Sequence, residues 1–168
     1  KYINSPETPL FSKSRLLYGL DLARDAFRKT GTALVMEGYT DVIMAHQFGF
    51  QNAVAVLGTA LGDSHLQVLQ RFVDRVVLVL DGDEAGRRRA AQVLELFVAR
   101  QIDLRVLTLP EDLDPCDFLL KYGAPGFQDA LDDRTVDALE HAFAAATYGI
   151  DLDRDIDGVS RAVDRLLG

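Results

Sequence analysis

The stretch Val76-Val77-Leu78-Val79-Leu80 runs directly into Asp81-Gly82-Asp83-Glu84-Ala85-Gly86, and these eleven residues decide the fold. Five consecutive apolar residues leave no polar face for solvent, which is typical of a strand buried beneath helices on both sides. Two carboxylates follow on either side of Gly82, and Gly82 and Gly86 permit a tight passage from strand to helix. The stretch therefore predicts a buried strand whose carboxyl end carries acidic side chains.

Similar apolar runs alternate with helical patterns along the neighbouring sequence. Strands are expected over 33–36, 53–57 and 104–109, and helices over 39–48, 62–73 and 84–101. This repeated β-then-α order predicts an α/β domain with a parallel sheet flanked by helices.

Helical patterns also precede and follow this domain. Upstream, apolar residues at three- and four-residue steps predict an amphipathic helix from Lys13 to Lys29, which Gly31 ends. Downstream, short helices are expected over 114–148, with a break at 123–126, and a last helix over 159–167. We therefore expect a small helical subdomain after the sheet.

Acidic residues follow three of the predicted strands. Because the carboxyl ends of parallel strands share one edge of a sheet, we expect their side chains to lie close together. Neighbouring carboxylates repel one another unless a cation neutralises them, and Mg²⁺ prefers oxygen ligands. An ordinary turn at Asp81-Gly82, with Asp83 or Glu84 capping a helix, is the alternative interpretation. The acidic residues are Glu37, Asp41, Asp81, Asp83, Glu111, Asp112, Asp114 and Asp117.

Two of these acidic segments resemble the motifs of a known family. Glu37-Gly38-Tyr39-Thr40-Asp41 and Asp81-Gly82-Asp83-Glu84-Ala85-Gly86 resemble the glutamate and Asp-x-Asp motifs of Toprim domains, which primases, topoisomerases and some nucleases share. The segment from Lys1 to Leu20 resembles the stretch that precedes the Toprim domain in bacterial DnaG-type primases. Leu57-Gly58-Thr59-Ala60-Leu61, Asp114-Pro115 and Lys121-Tyr122-Gly123 fit the same family. The motifs are clear to about residue 130.

The resemblance implies the catalytic core of a primase, a nucleotidyltransferase that joins ribonucleotides into short RNA primers on DNA. It implies the end of an N-terminal subdomain over 1–30, a Toprim-type Rossmann-like domain over 31–122 and a truncated helical subdomain over 123–168. The implied partners are single-stranded DNA template, ribonucleoside triphosphates and the RNA primer. A replicative helicase is expected to bind through a domain absent from this chain. The expected location is the cytoplasm, at the replication fork.

The resemblance also assigns roles to single residues. It implies that Glu37, Asp81 and Asp83 form a catalytic site for Mg²⁺ or Mn²⁺, supported by Asp41 and Asp114. Glu37 is either a metal ligand or a general base, and the sequence does not separate these roles. The family commonly carries Asp-Pro-Asp where this chain has Asp114-Pro115-Cys116. Asp117 is a candidate replacement, although a shift of one residue turns a helical side chain by ~100°.

The charge of the chain is unevenly distributed. The net charge of −8 argues against a protein that coats nucleic acid, but residues 1–29 hold six basic and three acidic side chains. The family resemblance implies that Lys1, Asn4 and Lys13 contact template or nucleotide. Arg15, in the same segment, and Arg87, after the Asp-x-Asp motif, are further candidates for contacts with nucleic acid or nucleotide. A solvated charged segment is the alternative for these residues.

Composition excludes several other classes of protein. The 48% share of apolar residues excludes disorder, and no aliphatic run approaches the ~20 residues that a bilayer requires, so no membrane partner is expected. One cysteine and three scattered histidines exclude a zinc site in this chain. No secretory signal is visible, and the first residue is Lys1, so we expect a piece of a longer cytoplasmic protein.

Three rival interpretations stay open. The first is another Toprim enzyme, of the topoisomerase or nuclease type, although nothing here supplies the tyrosine-nucleophile domain of a topoisomerase. The second is a non-catalytic phosphate-binding α/β module, which gives no role to Lys1, Asn4 and Lys13. The third is a calcium loop over 153–164, where Asp164 stands in place of the usual Glu. We favour an acidic loop there, with Asp157 capping the last helix.

Overall fold

The computed structural model of the chain describes Thr8, residues 12–81 and 102–147, Ile150, Asp155, residues 157–158 and residues 160–161. The strands are β1 Leu17–Tyr18, β2 Thr32–Met36, β3 Ala53–Val56, β4 Arg75–Leu80, β5 Asp103–Thr108 and β6 Val136–Asp137. The helices are α1 Leu20–Thr30, α2 Tyr39–Gln47, α3 Asp63–Leu69, α4 Pro115–Arg134 and α5 Ala138–Thr147. The helices predicted over 84–101 and 159–167 fall largely or wholly outside the described residues, as do Lys1, Asn4, Asp83 and Arg87.

The six strands form one sheet in the order β1-β3-β2-β4-β5-β6. The four central strands are parallel, and they coincide with the four strands predicted from apolar runs. The edge strands β1 and β6 are antiparallel to their neighbours, and neither was predicted. The sheet is therefore mixed, with a parallel centre as expected.

Helices pack against both faces of the sheet. Successive residues of each central strand point to opposite faces, so each strand contributes to two hydrophobic cores. Val35 of β2 joins a core that contains Phe27 of α1 and Leu66 of α3. Its neighbour Leu34 joins a second core, with Ala45 of α2 and Phe118 of α4. This two-sided packing confirms the predicted α/β fold.

The first helix is shorter than predicted. Gly19 lies in the left-handed region with φ 78°, and α1 begins only after it. Leu17 and Tyr18 pair instead with Val56 and Ala55 of β3. The helical spacing before Gly19 therefore indicated the wrong type of element, and of Leu16 and Leu17 only Leu17 is buried.

The break predicted in the downstream helices lies inside α4. Gly123 has φ 68° and ψ −175°, which interrupts the helical backbone, and Pro125 follows it. Beyond this kink, Phe127 packs against Phe50 and Phe118, with ring centroids 4.7 and 6.2 Å apart. The kink thus keeps both halves of α4 on the same face of the sheet.

The residue that caps the last predicted helix differs from the prediction. The Gly158 N–H group donates a hydrogen bond at 2.8 Å to the carboxylate of Asp155, three residues before Gly158, and not to that of Asp157.

Among the described residues, no helix combines the length and the apolar character needed to cross a bilayer.

Candidate active site

Acidic residues lie at the carboxyl ends of three neighbouring strands, or shortly after them. Glu37 directly follows β2, Asp81 directly follows β4, and Asp114 lies six residues after β5. Strands β2, β4 and β5 are adjacent and parallel, so their carboxyl ends meet at one edge of the sheet. The structure therefore brings these three predicted residues to the same edge.

Asp41 is the most buried carboxylate of this group, with only 7% of its surface exposed. It lies in the first turn of α2, and its Oδ2 accepts a hydrogen bond from the Gly38 N–H group at 3.1 Å. Burial raises the pKa of Asp41 from 3.8 to about 6, and the negative charges of Asp114 and Asp81 add to this rise. Asp41 is therefore in electrostatic contact with residues from two other strand ends.

Asp114 caps α4, and the same turn carries two more possible metal ligands. Asp114 Oδ1 accepts a hydrogen bond from the Asp117 N–H group at 2.7 Å, and Pro115 occupies the first position of the helix. One ligand atom each from Asp114, Cys116 and Asp117 lies within 4.8 Å of the others. Asp117 thus lies beside Asp114, and its role as a replacement for the family's second Asp stays a prediction.

Cys116 lies beside the site. The sequence analysis considered it only as the position where the family commonly has a second Asp. Burial raises the pKa of its thiol, and so do the charges of Asp114, Asp41 and Asp117. The backbone N–H group of Cys116 also donates to Asp41 and moderates the rise in the pKa of that carboxyl. The sequence feature that indicates a place near the site is the position of Cys116 in Asp114-Pro115-Cys116-Asp117, between two candidate metal ligands.

The donor set fits a hard divalent cation. Carboxylate oxygens dominate it, and Mg²⁺ takes such oxygens while keeping several waters. Burial is the main cause of the raised pKa of Asp41, and the negative charges of Asp114 and Asp81 raise it further, so a cation bound nearby favours the ionised form. A thiol is a soft ligand, so Asp114 and Asp117 match Mg²⁺ better than Cys116 does.

Glu111 differs from the other acidic residues that follow β5. It accepts hydrogen bonds from Lys121 Nζ and from the Tyr122 hydroxyl, at 2.5 and 2.6 Å. These two bonds and the charge of Lys121 lower the pKa of Glu111. Glu111 is thus ion-paired with Lys121 of α4, a partner that the sequence analysis did not indicate.

A pocket of about 330 Å³ lies next to Glu37. Its other walls come from the loop after β3, including Gly58 and Thr59, and from Leu78 and Leu80 of β4. The pocket therefore combines a carboxylate with an apolar surface at the carboxyl edge of the sheet.

The described part of the basic segment approaches this loop. The Lys13 carbonyl accepts hydrogen bonds from His65 Nε2 at 3.0 Å and from Thr59 Oγ1 at 3.4 Å. Thr59 also lines the pocket next to Glu37. Lys13 is half-buried and Arg15 is exposed. The structure thus places Lys13 beside the acidic edge, although the two are far apart in the sequence.

Two family models match the chain. One, described as Toprim-like, covers residues 34–119, and the other, described as the N-terminal domain of the DNA primase catalytic core, covers residues 1–24. The first confirms the Toprim resemblance and the fold that it implied.

Among curated proteins, the chain is similar to DNA primases. It is 41% identical to that of Neisseria meningitidis serogroup A over 155 residues, which are 90% of this chain and 26% of the relative. It is 44% identical to that of Listeria innocua over 130 residues, which are 77% of this chain and 21% of the relative. The chain therefore spans about a quarter of the length of these relatives.

Solved primase structures have the same fold. A DNA primase domain from Pseudomonas aeruginosa superposes with a TM-score of 0.86 at 36% identity, covering 99% of this chain and 54% of that chain. A DnaG primase catalytic domain bound to single-stranded DNA superposes with a TM-score of 0.84 at 35% identity, covering 98% and 53%.

Proposed function

Since this chain belongs to the Toprim-like family, we propose that it forms the catalytic core of a DNA primase. The proposed activity is that of a nucleotidyltransferase, which joins ribonucleoside triphosphates into a short RNA primer on single-stranded DNA. One observation carries the proposal: the pocket loop links an acidic, metal-fitting edge to a basic segment. The rival interpretation as a non-catalytic phosphate-binding module gives no role to Lys1, Asn4 and Lys13.

The proposed metal is Mg²⁺ or Mn²⁺, held by Glu37, Asp81 and Asp83 with support from Asp41, Asp114 and Asp117. A divalent cation held there would lower the pKa of the attacking 3′-hydroxyl and would neutralise charge on the departing pyrophosphate. Asp41 contributes a carboxylate that the Gly38 N–H group fixes in one orientation. Glu37 lines the pocket and serves either as a ligand or as the base that takes the hydroxyl proton.

The proposed nucleic-acid surface consists of basic and polar residues near this edge. Lys13 and Arg15 lie on the turn between Ser12 and Leu16, whose Arg15 and Leu16 N–H groups donate to the Ser12 carbonyl. Their positive charges favour phosphate groups of template or nucleotide, in a sequence-independent way. Lys1, Asn4 and Arg87 complete the proposed surface.

The proposed organisation follows from the same assignment. Residues 1–30 form the end of an N-terminal subdomain, 31–122 the catalytic domain and 123–168 part of a helical subdomain. In the whole protein, we propose that a domain outside this chain binds the replicative helicase. The proposed place of work is the replication fork, in the cytoplasm.

Primer synthesis by the full-length protein tests the proposal. Labelled ribonucleotides, single-stranded template and Mg²⁺ or Mn²⁺ are expected to yield short RNA on a denaturing gel. Asp81→Ala is expected to lower the yield at least a hundredfold, because it removes a ligand for the proposed metal. Asp129→Ala, which removes an exposed carboxylate of α4, is the matched control and is expected to act like the parent.

Two results contradict the proposal. Normal synthesis by the Asp81→Ala protein refutes the assignment of the site. Metal-dependent cleavage of DNA by the parent, with no RNA made, points instead to the nuclease branch of the family.

A further inference from the structure

His65 is a buried histidine outside the acidic site, and its two ring nitrogens have different partners. None of its surface is exposed. Nδ1 accepts a hydrogen bond from the Gly62 N–H group at 3.1 Å, so the ring proton is on Nε2. Nε2 then donates to the Lys13 carbonyl at 3.0 Å, across 52 residues of sequence.

The two bonds require a neutral imidazole. Burial lowers the pKa of His65 below its ordinary value of 6.5, which keeps the ring neutral at physiological pH. A protonated ring would direct a second N–H group at the Gly62 N–H group. The neutral ring therefore connects the Gly62 N–H group, at the start of α3, to the Lys13 carbonyl through two hydrogen bonds.

Thr59 provides a second hydrogen bond to the same oxygen. Its hydroxyl lies 3.4 Å from the Lys13 carbonyl, so this bond is the weaker of the two. Thr59 also lines the pocket beside Glu37. One short segment between β3 and α3 thus contacts both the pocket and the basic turn.

We infer that His65 is a positioning residue that, together with Thr59, fixes the Lys13 backbone beside the pocket lined by Glu37. The contribution of Lys13 to template binding rests on the proposed function, whereas the anchor itself does not. Both anchoring bonds end on a backbone carbonyl, so replacing the Lys13 side chain leaves them in place.

Limited trypsin digestion of this chain tests the anchor without reference to function. His65→Leu removes both ring bonds, and Thr59→Val removes only the hydroxyl. Each is expected to accelerate cleavage after Lys13 and Arg15 relative to cleavage after Arg134, with the larger effect for His65→Leu. Thr59→Ser restores the hydroxyl and is expected to restore the parental ratio. A ratio unchanged in His65→Leu refutes the anchor.

A double-mutant cycle on template affinity tests the positioning role. Dissociation constants for single-stranded DNA are measured by fluorescence anisotropy for the parent, His65→Leu, Lys13→Gln and the double variant. Loss of one phosphate contact to single-stranded DNA weakens binding roughly fourfold at 0.15 M salt and lowers the salt slope by about 0.7. Each single variant is expected to show this change.

The double variant decides between positioning and general support. If His65 acts through Lys13, the double variant binds like Lys13→Gln alone, because the charge that His65 positions is already gone. Additive losses refute the positioning role, since they show that His65 supports binding elsewhere. His65→Gln, whose amide can both accept from Gly62 and donate to Lys13, is expected to recover most of the parental affinity.

The proposed function and this inference can fail separately. If the parent chain does not bind single-stranded DNA and the full-length protein makes no primer, the proposed function fails. The digestion ratio still decides the anchor in that case.

Discussion

The raised pKa of Asp41 makes a quantitative prediction about stability in the absence of metal. The folded state holds this proton more tightly than the unfolded state, because the pKa of Asp41 rises from 3.8 to about 6 on folding. Its stabilising contribution is therefore complete below pH 3.8 and is lost as the pH rises through 6. The shift of about 2 units corresponds to about 3 kcal/mol of lost stability at neutral pH.

Asp41→Asn removes this titration while keeping an oxygen that can accept from the Gly38 N–H group. In EDTA, the free energy of unfolding of the variant minus that of the parent is expected to increase as the pH rises. Roughly 1.3 kcal/mol of this increase falls between pH 5 and pH 7. Urea unfolding at half-unit pH steps measures it, and losses from an imperfect amide fit cancel because they do not depend on pH.

Two comparisons sharpen the test. Asp129→Asn removes an exposed carboxylate in α4 and is expected to follow the parent at every pH. Saturating Mg²⁺ is expected to stabilise the parent more at pH 7 than at pH 5, because the cation binds the ionised form. A difference between Asp41→Asn and the parent that stays constant from pH 5 to pH 7 would show that Asp41 is not held in a crowded, buried environment.

Four other substitutions probe the backbone and the core. Gly38→Ala places a Cβ 2.6 Å from Asp41 Oδ2 and is expected to weaken Mg²⁺ binding by at least tenfold, as measured by calorimetry. Gly31→Ala is the control, because a Cβ there meets open space. Its left-handed backbone, with φ 65°, is expected to cost about 1 kcal/mol of stability without changing the Mg²⁺ affinity. Equal affinities in the two variants contradict the steric argument. Phe127→Ala empties a fully buried site and is expected to cost about 3–5 kcal/mol in urea unfolding, and a cost below 1 kcal/mol would contradict the packing of α4. Asp112→Gly relieves a left-handed residue at φ 54° and is expected to raise stability by up to about 1 kcal/mol, whereas a loss would refute strain there.

The sequence predicted the parallel centre of the sheet because each central strand is an apolar run with a turn or helical pattern on either side. It did not predict β1 or β6, since two-residue strands have no periodicity. The residues before Gly19 show helical spacing, and only the left-handed backbone of that glycine and pairing with β3 override it.

The acidic site was predictable to the level of strand ends but not of individual side chains. Asp81 and Asp114 lie near Asp41 because parallel strands bring them to one edge. Glu111 also follows β5, three residues after Thr108, yet its carboxylate is ion-paired with Lys121, ten residues later. The His65 bond to Lys13 spans 52 residues, and no local pattern indicates it.

The crowding of carboxylates at the carboxyl edge has a consequence for the order in which ligands arrive. Without a cation, the charges of Asp81 and Asp114 that disfavour ionisation of Asp41 also repel any phosphate that approaches. A divalent cation that binds first reverses the local sign and turns the same edge into an attractive surface. We therefore expect assembly to be ordered, with metal before polyanion, so that the rate of productive association follows the fraction of molecules already loaded with metal.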